Sequence, residues 1–223
     1  MSSIAGGNRR FGAPDPWRDS GFHDTLINMN KRPYTMRARA ESAQATYRRI
    51  LDAAEQLFLD NWYDQVTLDH VAEEADVSKQ TVLRRFGSKE SLFAAVADEL
   101  SHRNESNRSK VPPGDLDRAA AVLTADHERT GLTATRLEAM EERFPALGDL
   151  LEQGRSRRRD WIERTFGNLL PPRSSKDYKR RLAILMDITS AQTWKLLRHD
   201  LKLNRKETER AVHELLLGIE RLG

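Results

Sequence analysis

The sequence has no cysteine among its 223 residues and no long apolar run. The first absence excludes disulfide bonds, thiolate metal ligands and cysteine nucleophiles. The N-terminus also lacks the apolar core of a secretory signal, so we expect a cytoplasmic protein. A membrane-spanning helix needs roughly 18 apolar residues in a row, and no segment approaches this length. We therefore expect no membrane partner.

Motifs of enzymes and metal sites are absent as well. The sequence contains no GxSxG, GxGxxG, P-loop or HExxH motif. Its six histidines are scattered without the spacing of metal ligands. These absences predict a protein that is not an enzyme, with no catalytic residues, no metal site and no cofactor.

The net charge of +3 is too small to predict nucleic-acid binding by itself, so the position of the charges must decide. The charged side chains of residues 78–90 are basic except for Glu90, whereas those of residues 60–76 are all acidic. Residues 1–40 are rich in glycine, proline and basic residues and predict a flexible basic N-terminal arm. Such an arm could enter a DNA groove or only keep the protein soluble.

Helical spacing begins at about Ser42 and predicts a first helix that ends near Asn61. Three shorter signals follow, because Thr67, Ser78 and Ser88 are each placed to cap a helix. The two short helices that meet at residues 76–77, beneath a longer first helix, predict a helix-turn-helix. We expect residues 41–111 to form a DNA-binding domain.

The third of these helices would be the one that reads DNA. If Val82 and Phe86 point inward, a rotation of ~100° per residue directs Gln80 and Arg84 outward, with Thr81 beside them and Leu83 and Arg85 on the flanks. Glutamine can form two hydrogen bonds with adenine, and arginine can do the same with guanine. A merely solvated basic face is the alternative interpretation.

The segment from Tyr47 to Leu100 closely resembles the DNA-binding domain of the TetR family of transcriptional regulators. The resemblance rests on Ile50, Ala53, Ala54, Leu57, Phe58, Val66, Thr67, Val71, Ala72, Ala75, Asp76, Val77, Ser78, Thr81, Phe86, Ser88, Lys89, Glu90, Ser91 and Leu92. Four residues depart from the family pattern, namely Trp62, Asp76, Gln80 and Leu83. Leu83 replaces a tyrosine that typically donates a hydrogen bond to DNA phosphate, and leucine cannot donate one.

Phosphate contacts are expected where helix N-termini and basic side chains meet the DNA backbone. Thr67, Lys89 and the Arg48–Arg49 pair fit this role, and the resemblance implies it for Thr67 and Lys89. The complete set of predicted DNA-binding residues is Arg48, Arg49, Thr67, Ser78, Lys79, Gln80, Thr81, Leu83, Arg84, Arg85 and Lys89.

After Pro112 and Pro113 the composition changes, and we expect a second helical domain over residues 112–223. Apolar spacing predicts helices over residues 116–130, 133–144, 145–170, 174–199 and 205–222. The last begins with a capping box formed by Asn204 and Glu207. The fold class predicted for the chain is therefore all-α, with a DNA-binding domain followed by a second helical domain, and the resemblance implies that this second domain binds an effector and dimerises.

The resemblance also implies how the second domain works. Residues 182–219 are similar to the last two helices of many TetR-family regulators, which pair with a second subunit. The predicted dimer residues are Leu185, Ile188, Leu196, Val212, Leu216 and Ile219. The family commonly holds a small-molecule pocket, for which the candidates are His127, Met140, Phe144, Trp161, Phe166, Met186 and Trp194. For both sets, the chain's own core is the alternative interpretation.

The resemblance thus implies a homodimeric, ligand-responsive repressor that binds a palindromic operator in double-stranded DNA. Its expected partners are the operator, a second copy of the chain and a possible small-molecule effector. A helical scaffold that binds proteins and has kept the motif without reading DNA is the alternative hypothesis.

Overall fold

A computed structural model describes residues 22–221, with side chains from residue 36 onward. The described residues contain α-helices, one short 3₁₀ helix and one π-helical segment, and no strand, which confirms the predicted all-α class. The helices are α1 (Phe22–Asp60), α2 (Leu68–Glu74), α3 (Lys79–Phe86), α4 (Lys89–Arg108), α5 (Leu116–Met140), α6 (Pro145–Thr165), α7 (Tyr178–Ile188), α8 (Ala191–Lys195) and α9 (Arg205–Arg221). None of these helices is long and apolar enough to cross a membrane.

The first helix begins well before the predicted start at Ser42. Residues 36–46 are rich in alanine, arginine, glutamate and glutamine, all favourable in helices, and the Arg37 Nε donates to Glu41 over 2.9 Å. The described residues before Tyr47 and those from Tyr47 onward form separate compact units. Of the predicted flexible arm, residues 22–40 are helical in the structure, and residues 1–21 lie outside the described residues.

A first hydrophobic core lies under the helix-turn-helix. The apolar face of α1 contributes the buried Ile50, Ala54 and Phe58, as the helical spacing predicts. Val71 of α2 and Val82 of α3 are fully buried in the same core. The turn between these two helices places Asp76 at φ 50, a left-handed conformation that aspartate tolerates.

The first core extends beyond the predicted domain boundary at residue 112. Met140 at the end of α5 and Leu147 at the start of α6 are buried in it. Two side chains of α5 also bind the carbonyl groups at the end of α1. The Thr133 hydroxyl donates to Leu59 O over 3.1 Å, and the Arg136 guanidinium donates to Leu59 O and, over 3.0 Å, to Asp60 O. These bonds satisfy carbonyls that a helix end otherwise leaves unpaired.

A second core joins α5, α6, α7 and α9. The predicted break at Gly131 is wrong, because α5 continues through it. A Cβ at this position would lie 2.5 Å from Trp194 ring atoms, so glycine is needed for close packing with α8. The helix predicted over residues 174–199 is instead interrupted before Ala191, where Ser190 caps α8. The capping box of α9 is confirmed, since Asn204 and Glu207 exchange hydrogen bonds of 2.7 and 3.0 Å.

Candidate nucleic-acid interface

The N-cap and the buried face of helix α3 fix its rotation about the helix axis. The Ser78 Oγ accepts a hydrogen bond from the Thr81 amide over 3.2 Å and lies 2.9 Å from the Thr81 hydroxyl. Val82 is fully buried, and the Phe86 ring stacks on Tyr47 of α1 with centroids 5.0 Å apart. Gly87, at φ 79, ends the helix. The opposite side of α3 is therefore fixed toward solvent.

That outer side carries three long polar side chains that are free to bind. Gln80, Arg84 and Arg85 are exposed, and none has a hydrogen bond or ion pair with a described residue. This placement agrees with the predicted rotation of the helix. Leu83 lies beside them with 36% of its surface exposed. An uncommitted arginine or glutamine on an exposed helix can use its full set of donors on base edges.

The remaining predicted residues of α2 and α3 have partners within the chain. Lys79 Nζ lies 2.8 Å from the Asp69 carboxylate of α2, in an exposed ion pair. Thr67 caps α2 by accepting from the His70 amide over 3.2 Å. The Thr67 and Ser78 hydroxyls therefore serve as helix caps.

The N-terminus of α4 holds a cluster that sequence reasoning missed. The Lys89 ammonium lies 4.3 Å from the centroid of the Tyr63 ring, and the Tyr63 hydroxyl donates to Glu90 over 3.4 Å. Burial, reinforced by the Glu90 carboxylate, raises the pKa of Tyr63 to about 12. Burial also lowers the pKa of Lys89, an effect that Glu90 and Asp64 oppose. The cation–π contact orients Lys89 beside the helix N-terminus.

The arginine pair on α1 divides into two different environments. Arg48 binds Glu99 of α4 over 3.2 Å, whereas Arg49 is exposed and has no partner among the described residues. The Arg48–Glu99 pair links α1 to α4. Its acidic member lies 51 positions along the chain, so no local sequence signal could have revealed it. Tyr47, by contrast, lies one turn before Ile50 on the same helix face, a spacing that would have placed it in the core.

The residues predicted to line a ligand pocket do not share one cavity. Met140 belongs to the first core, and Phe144 packs edge-on against Tyr63 with centroids 5.6 Å apart. Trp161, Phe166 and Met186 belong to the second core or pack against it. His127 and Trp194 form a third group, with ring centroids 6.1 Å apart. The alternative interpretation, in which large residues at helical spacing fill the core, applies to most of them.

His127 is the most strongly perturbed of these side chains. It is buried, and its Nε2 lies 3.2 Å from the Thr189 carbonyl oxygen, so Nε2 carries the proton and donates. Burial, aided by the positive charges of Arg108 and Arg158, lowers its pKa to about 3. The imidazole is therefore neutral at pH 7.

Five of the six predicted dimer residues are buried within the chain. These are Leu185, Ile188, Val212, Leu216 and Ile219, which have at most 8% of their surface exposed and pack in the second core. The apolar stripe they form faces the chain's own helices, as the alternative interpretation has it. Leu196 is 49% exposed. Among the described residues, the large exposed apolar side chains of α7 and α9 are instead Ile184 and Leu215.

Among the described residues there is no group of histidine, aspartate and glutamate side chains that could hold a metal ion. The chemistry of the site is that of donors presented on an exposed helix, supported by helix caps and a buried face.

Comparison with known proteins places this arrangement in a class. The family model for bacterial regulatory proteins of the tetR family matches residues 50–96. Regulator YvkB of Bacillus subtilis, an HTH-type transcriptional regulator, is 39% identical over 74 residues, which cover 32% of this chain and 37% of that protein. The HTH-type transcriptional repressor Rv3405c of Mycobacterium tuberculosis is 26% identical over 197 residues, covering 86% of this chain and 94% of that protein.

Solved structures share the fold. A transcriptional regulator from Rhodococcus sp. Rha1 superposes with a TM-score of 0.64 at 16% identity and covers 78% of this chain and 95% of that one. A TetR-family regulator from Mesorhizobium loti gives a TM-score of 0.56 at 19% identity, with 81% and 97% covered. At these identities the likeness shows the fold alone.

The exposed α3, its capped partner α2 and the matched relatives define a helix-turn-helix transcriptional regulator, a class of DNA-binding protein. Within this class, residues 50–96 are similar to the TetR family of bacterial regulatory proteins.

Proposed function

We propose that the protein is a homodimeric repressor that binds a palindromic operator through α3 and is released by a small-molecule ligand. The observation that carries this proposal is the exposed face of α3. Gln80, Arg84 and Arg85 project from a helix whose other side is fully packed, and they have no partner in the described part of the chain. These are side chains that read adenine and guanine in the major groove.

Phosphate contacts would come from three places around α3. The N-terminus of α4 presents unpaired amides beside Lys89, and Arg49 is exposed on α1. Lys79 is held by Asp69 in the free protein and would exchange this carboxylate for a phosphate. Such contacts position the protein on DNA without specifying the sequence.

Dimerisation is proposed through the outer sides of α7 and α9. These helices lie side by side, since the Arg181 guanidinium donates to Ile219 O over 2.9 Å. Ile184 on α7 and Leu215 on α9 are 38% and 42% exposed. Ala183 and Gly218 are exposed on the same two helices, and such small residues allow a second copy to approach closely. A symmetric dimer would present two α3 helices to two half-sites.

The repressor assignment is supported by the likeness to Rv3405c, a transcriptional repressor matched over 94% of its length. The alternative hypothesis, a scaffold that binds protein and not DNA, is not favoured by the uncommitted basic side chains on α3. A scaffold does not require arginines that are kept free of internal partners.

Selection of DNA from a random duplex pool by the full chain tests the proposal. We expect enrichment of an inverted repeat with half-site centres about one helical turn, ~10 base pairs, or a multiple of it apart. The selected sequence placed over a promoter should reduce reporter transcription. A matched variant carrying Gln80→Ala and Arg84→Ala should lose the enrichment while keeping its fold.

The outcomes separate the parts of the proposal. No enriched sequence from a folded protein would favour the scaffold hypothesis. An enriched single half-site without symmetry would remove the dimer from the proposal, and increased reporter transcription would remove repression.

A further inference from the structure

We propose that a cleft between α4 and α6 binds a small anionic molecule with an aromatic body, and that Arg157 and Arg164 hold its acidic group. This inference names the effector class of the proposed function, and only its regulatory consequence rests on that function. None of the residues predicted from sequence for a ligand pocket lies in this cleft except Trp161.

The cleft has the size and position of a small-molecule site. Its volume is about 450 Å³, within the range of roughly 300–1,000 Å³ that ligand pockets occupy. The lining comes entirely from the second half of α4, the residue after it, and α6. The lining residues are Ser101, Asn104, Glu105, Arg108, Ser109, Gly154, Arg157, Asp160, Trp161 and Arg164.

Two of the lining arginines are open to an added acidic group, because Arg157 has only long ion pairs and Arg164 has no carboxylate partner among the described residues. The Arg157 guanidinium forms long ion pairs with Glu105 and Asp98, at 3.7 and 3.8 Å, and donates a long hydrogen bond of 3.5 Å to the Gln153 side chain. Among the described residues, Arg164 donates only to a neutral group, the Arg108 carbonyl oxygen, over 2.9 Å. Both can therefore donate charge-assisted hydrogen bonds to a carboxylate or sulfonate.

The surroundings of the cleft add further positive charge. Arg108 and Arg129 share a single carboxylate, that of Asp126, at 2.8 and 2.9 Å. Arg158, on the next face of α6, has a buried Nε without a hydrogen-bond partner. Its pKa is lowered by burial and by the nearby Arg108 and Arg155. A cation in this state is stabilised when a negative charge enters the neighbourhood.

The apolar part of the ligand has a platform as well. The indole of Trp161 lines the cleft, and its Nε1 donates to the Arg108 carbonyl oxygen over 3.2 Å, which fixes the ring. Because Trp161 is 5% exposed, only the part of its ring that lines the cleft can pack against an aromatic ligand. The lining acids Glu105 and Asp160 would accept hydrogen bonds from hydroxyl or amino groups of the same molecule.

Binding in this cleft would act on α4, because one end of this helix lies at the proposed DNA interface and the other end lines the cleft. Its N-terminus carries Lys89 beside α3, and its C-terminal half lines the cleft. A ligand that pulls Arg157 toward itself would also weaken the contact with Glu105 of α4. The expected consequence is a changed position of α4 and a lower affinity for DNA.

The test uses 1-anilinonaphthalene-8-sulfonate, an anionic aromatic probe whose fluorescence rises on binding, and N-phenyl-1-naphthylamine, which has the same body without the sulfonate. We expect one site for the anionic probe and weaker binding of the neutral one. Arg157→Gln and Arg164→Gln should each raise the dissociation constant of the anionic probe by about tenfold, the effect of losing one hydrogen bond to a charged group. Neither should change binding of the neutral probe.

Arg159→Gln is the matched control, since Arg159 is exposed on α6 and does not line the cleft. It should leave both probes unaffected. Equal affinity for the two probes, or unchanged affinity in both folded arginine variants, would overturn the site. If Arg164→Gln fails to fold, Arg157→Gln decides alone.

The regulatory consequence has its own readout, in which the anionic probe is added to the complex with the selected DNA. If the anionic probe releases DNA from the native protein but not from Arg157→Gln, the result supports the cleft as the effector site. If the probe binds in an arginine-dependent way but does not release the DNA, the effector role is overturned, whereas the binding site itself is retained. Failure of DNA selection would overturn the proposed function and leave the probe result intact.

Discussion

Arg84 and Arg85 are neighbours on α3 that face directions about 100° apart. Arg84 lies opposite the buried Val82, whereas Arg85 lies on the flank of the helix, where we expect it to meet the DNA backbone. We expect Arg84→Ala to weaken binding to the selected operator by ~1–3 kcal/mol and to relax the preference at one base pair of each half-site. Titration against the operator and its single-base variants, at one salt concentration, measures this effect.

Arg85→Ala is the matched comparison for this prediction. Its loss should weaken binding to operator and unrelated DNA in similar proportion, because a phosphate contact carries no sequence information. If Arg85→Ala relaxes the base preference and Arg84→Ala does not, α3 meets the DNA with a different rotation from the one assigned.

His127 should make the folded protein sensitive to acid. Its folded-state pKa of about 3 lies below the ordinary value of 6.5, so the folded chain binds fewer protons between these pH values. Its contribution to stability is thus present above pH 6.5 and is lost as the pH falls toward 3, by at most ~1.4 kcal/mol per pH unit. Urea unfolding of native protein and His127→Gln at several pH values should show a flatter dependence in the variant.

The exposed His102 of α4 provides the control for this experiment. His102→Gln should keep the acid sensitivity of the native protein. A native-like slope in His127→Gln would mean that other groups cause the loss of stability in acid.

Single residues were predictable where a local rule decided them. Thr67, Ser78 and Ser88 act as the caps that their positions indicate, since a cap depends only on the next three residues. Partners distant in the chain were not predictable. The contact of Lys89 with Tyr63 depends on how α4 packs against the turn after α1, which no local pattern records.

At the scale of whole elements, the crossing of α5 and α8 gives a sharp prediction. A Cβ at Gly131 would lie 2.5 Å from Trp194 ring atoms and 3.2 Å from His127 Cβ. We therefore expect Gly131→Ala to lower the free energy of unfolding by roughly 1–3 kcal/mol, the usual cost of overpacking. Denaturant titration measures the change.

Gly148 of α6 is the matched control, because a Cβ there meets no atom within 4 Å. Gly148→Ala should be neutral or stabilising by up to about 1 kcal/mol, since alanine favours the helix. A Gly131→Ala protein as stable as this control would show that Trp194 can move away at little cost.

The same glycine explains which helices the sequence could predict. Helices α2, α3 and α4 carry caps and periodic apolar positions, and their existence was correctly predicted. Glycine is unfavourable within helices, so Gly131 indicated a helix break. The residue is glycine because Trp194 packs against it, and this contact between distant parts of the chain cannot be seen in the sequence. The start of α1 was missed because residues 36–46 lack an apolar face, although their composition favours a helix.

For the whole molecule, the exposed Leu215 provides the test of the dimer. Leu215→Glu would bury an unpaired charge if α7 and α9 meet a second copy. We expect this variant to shift toward monomer in sedimentation experiments while its helical content stays unchanged. Leu132→Glu is the control, since Leu132 is 41% exposed on α5. An unaltered dimer in Leu215→Glu would place the interface elsewhere.

The two-domain organisation could be predicted only in part. The change in composition near Pro112 follows the end of α4, and the sequence indicates a helical domain on each side of it. The sequence could not indicate that α5 and α6 return to the first core, because Met140 and Leu147 look like residues of any helical core. Likewise, an apolar stripe such as that of Leu185 and Leu216 does not distinguish an internal core from a subunit interface.

The hydrogen bonds from α5 to the end of α1 determine which segments must be kept together when a DNA-binding domain is transferred to another regulator. A chimera joined at residue 112 would remove Thr133 and Arg136 and leave the Leu59 and Asp60 carbonyls without these donors. It would also remove Met140 and Leu147 from the first core. The unit that can be transplanted intact is therefore discontinuous in sequence: it combines residues 47–111 with the segment 133–147.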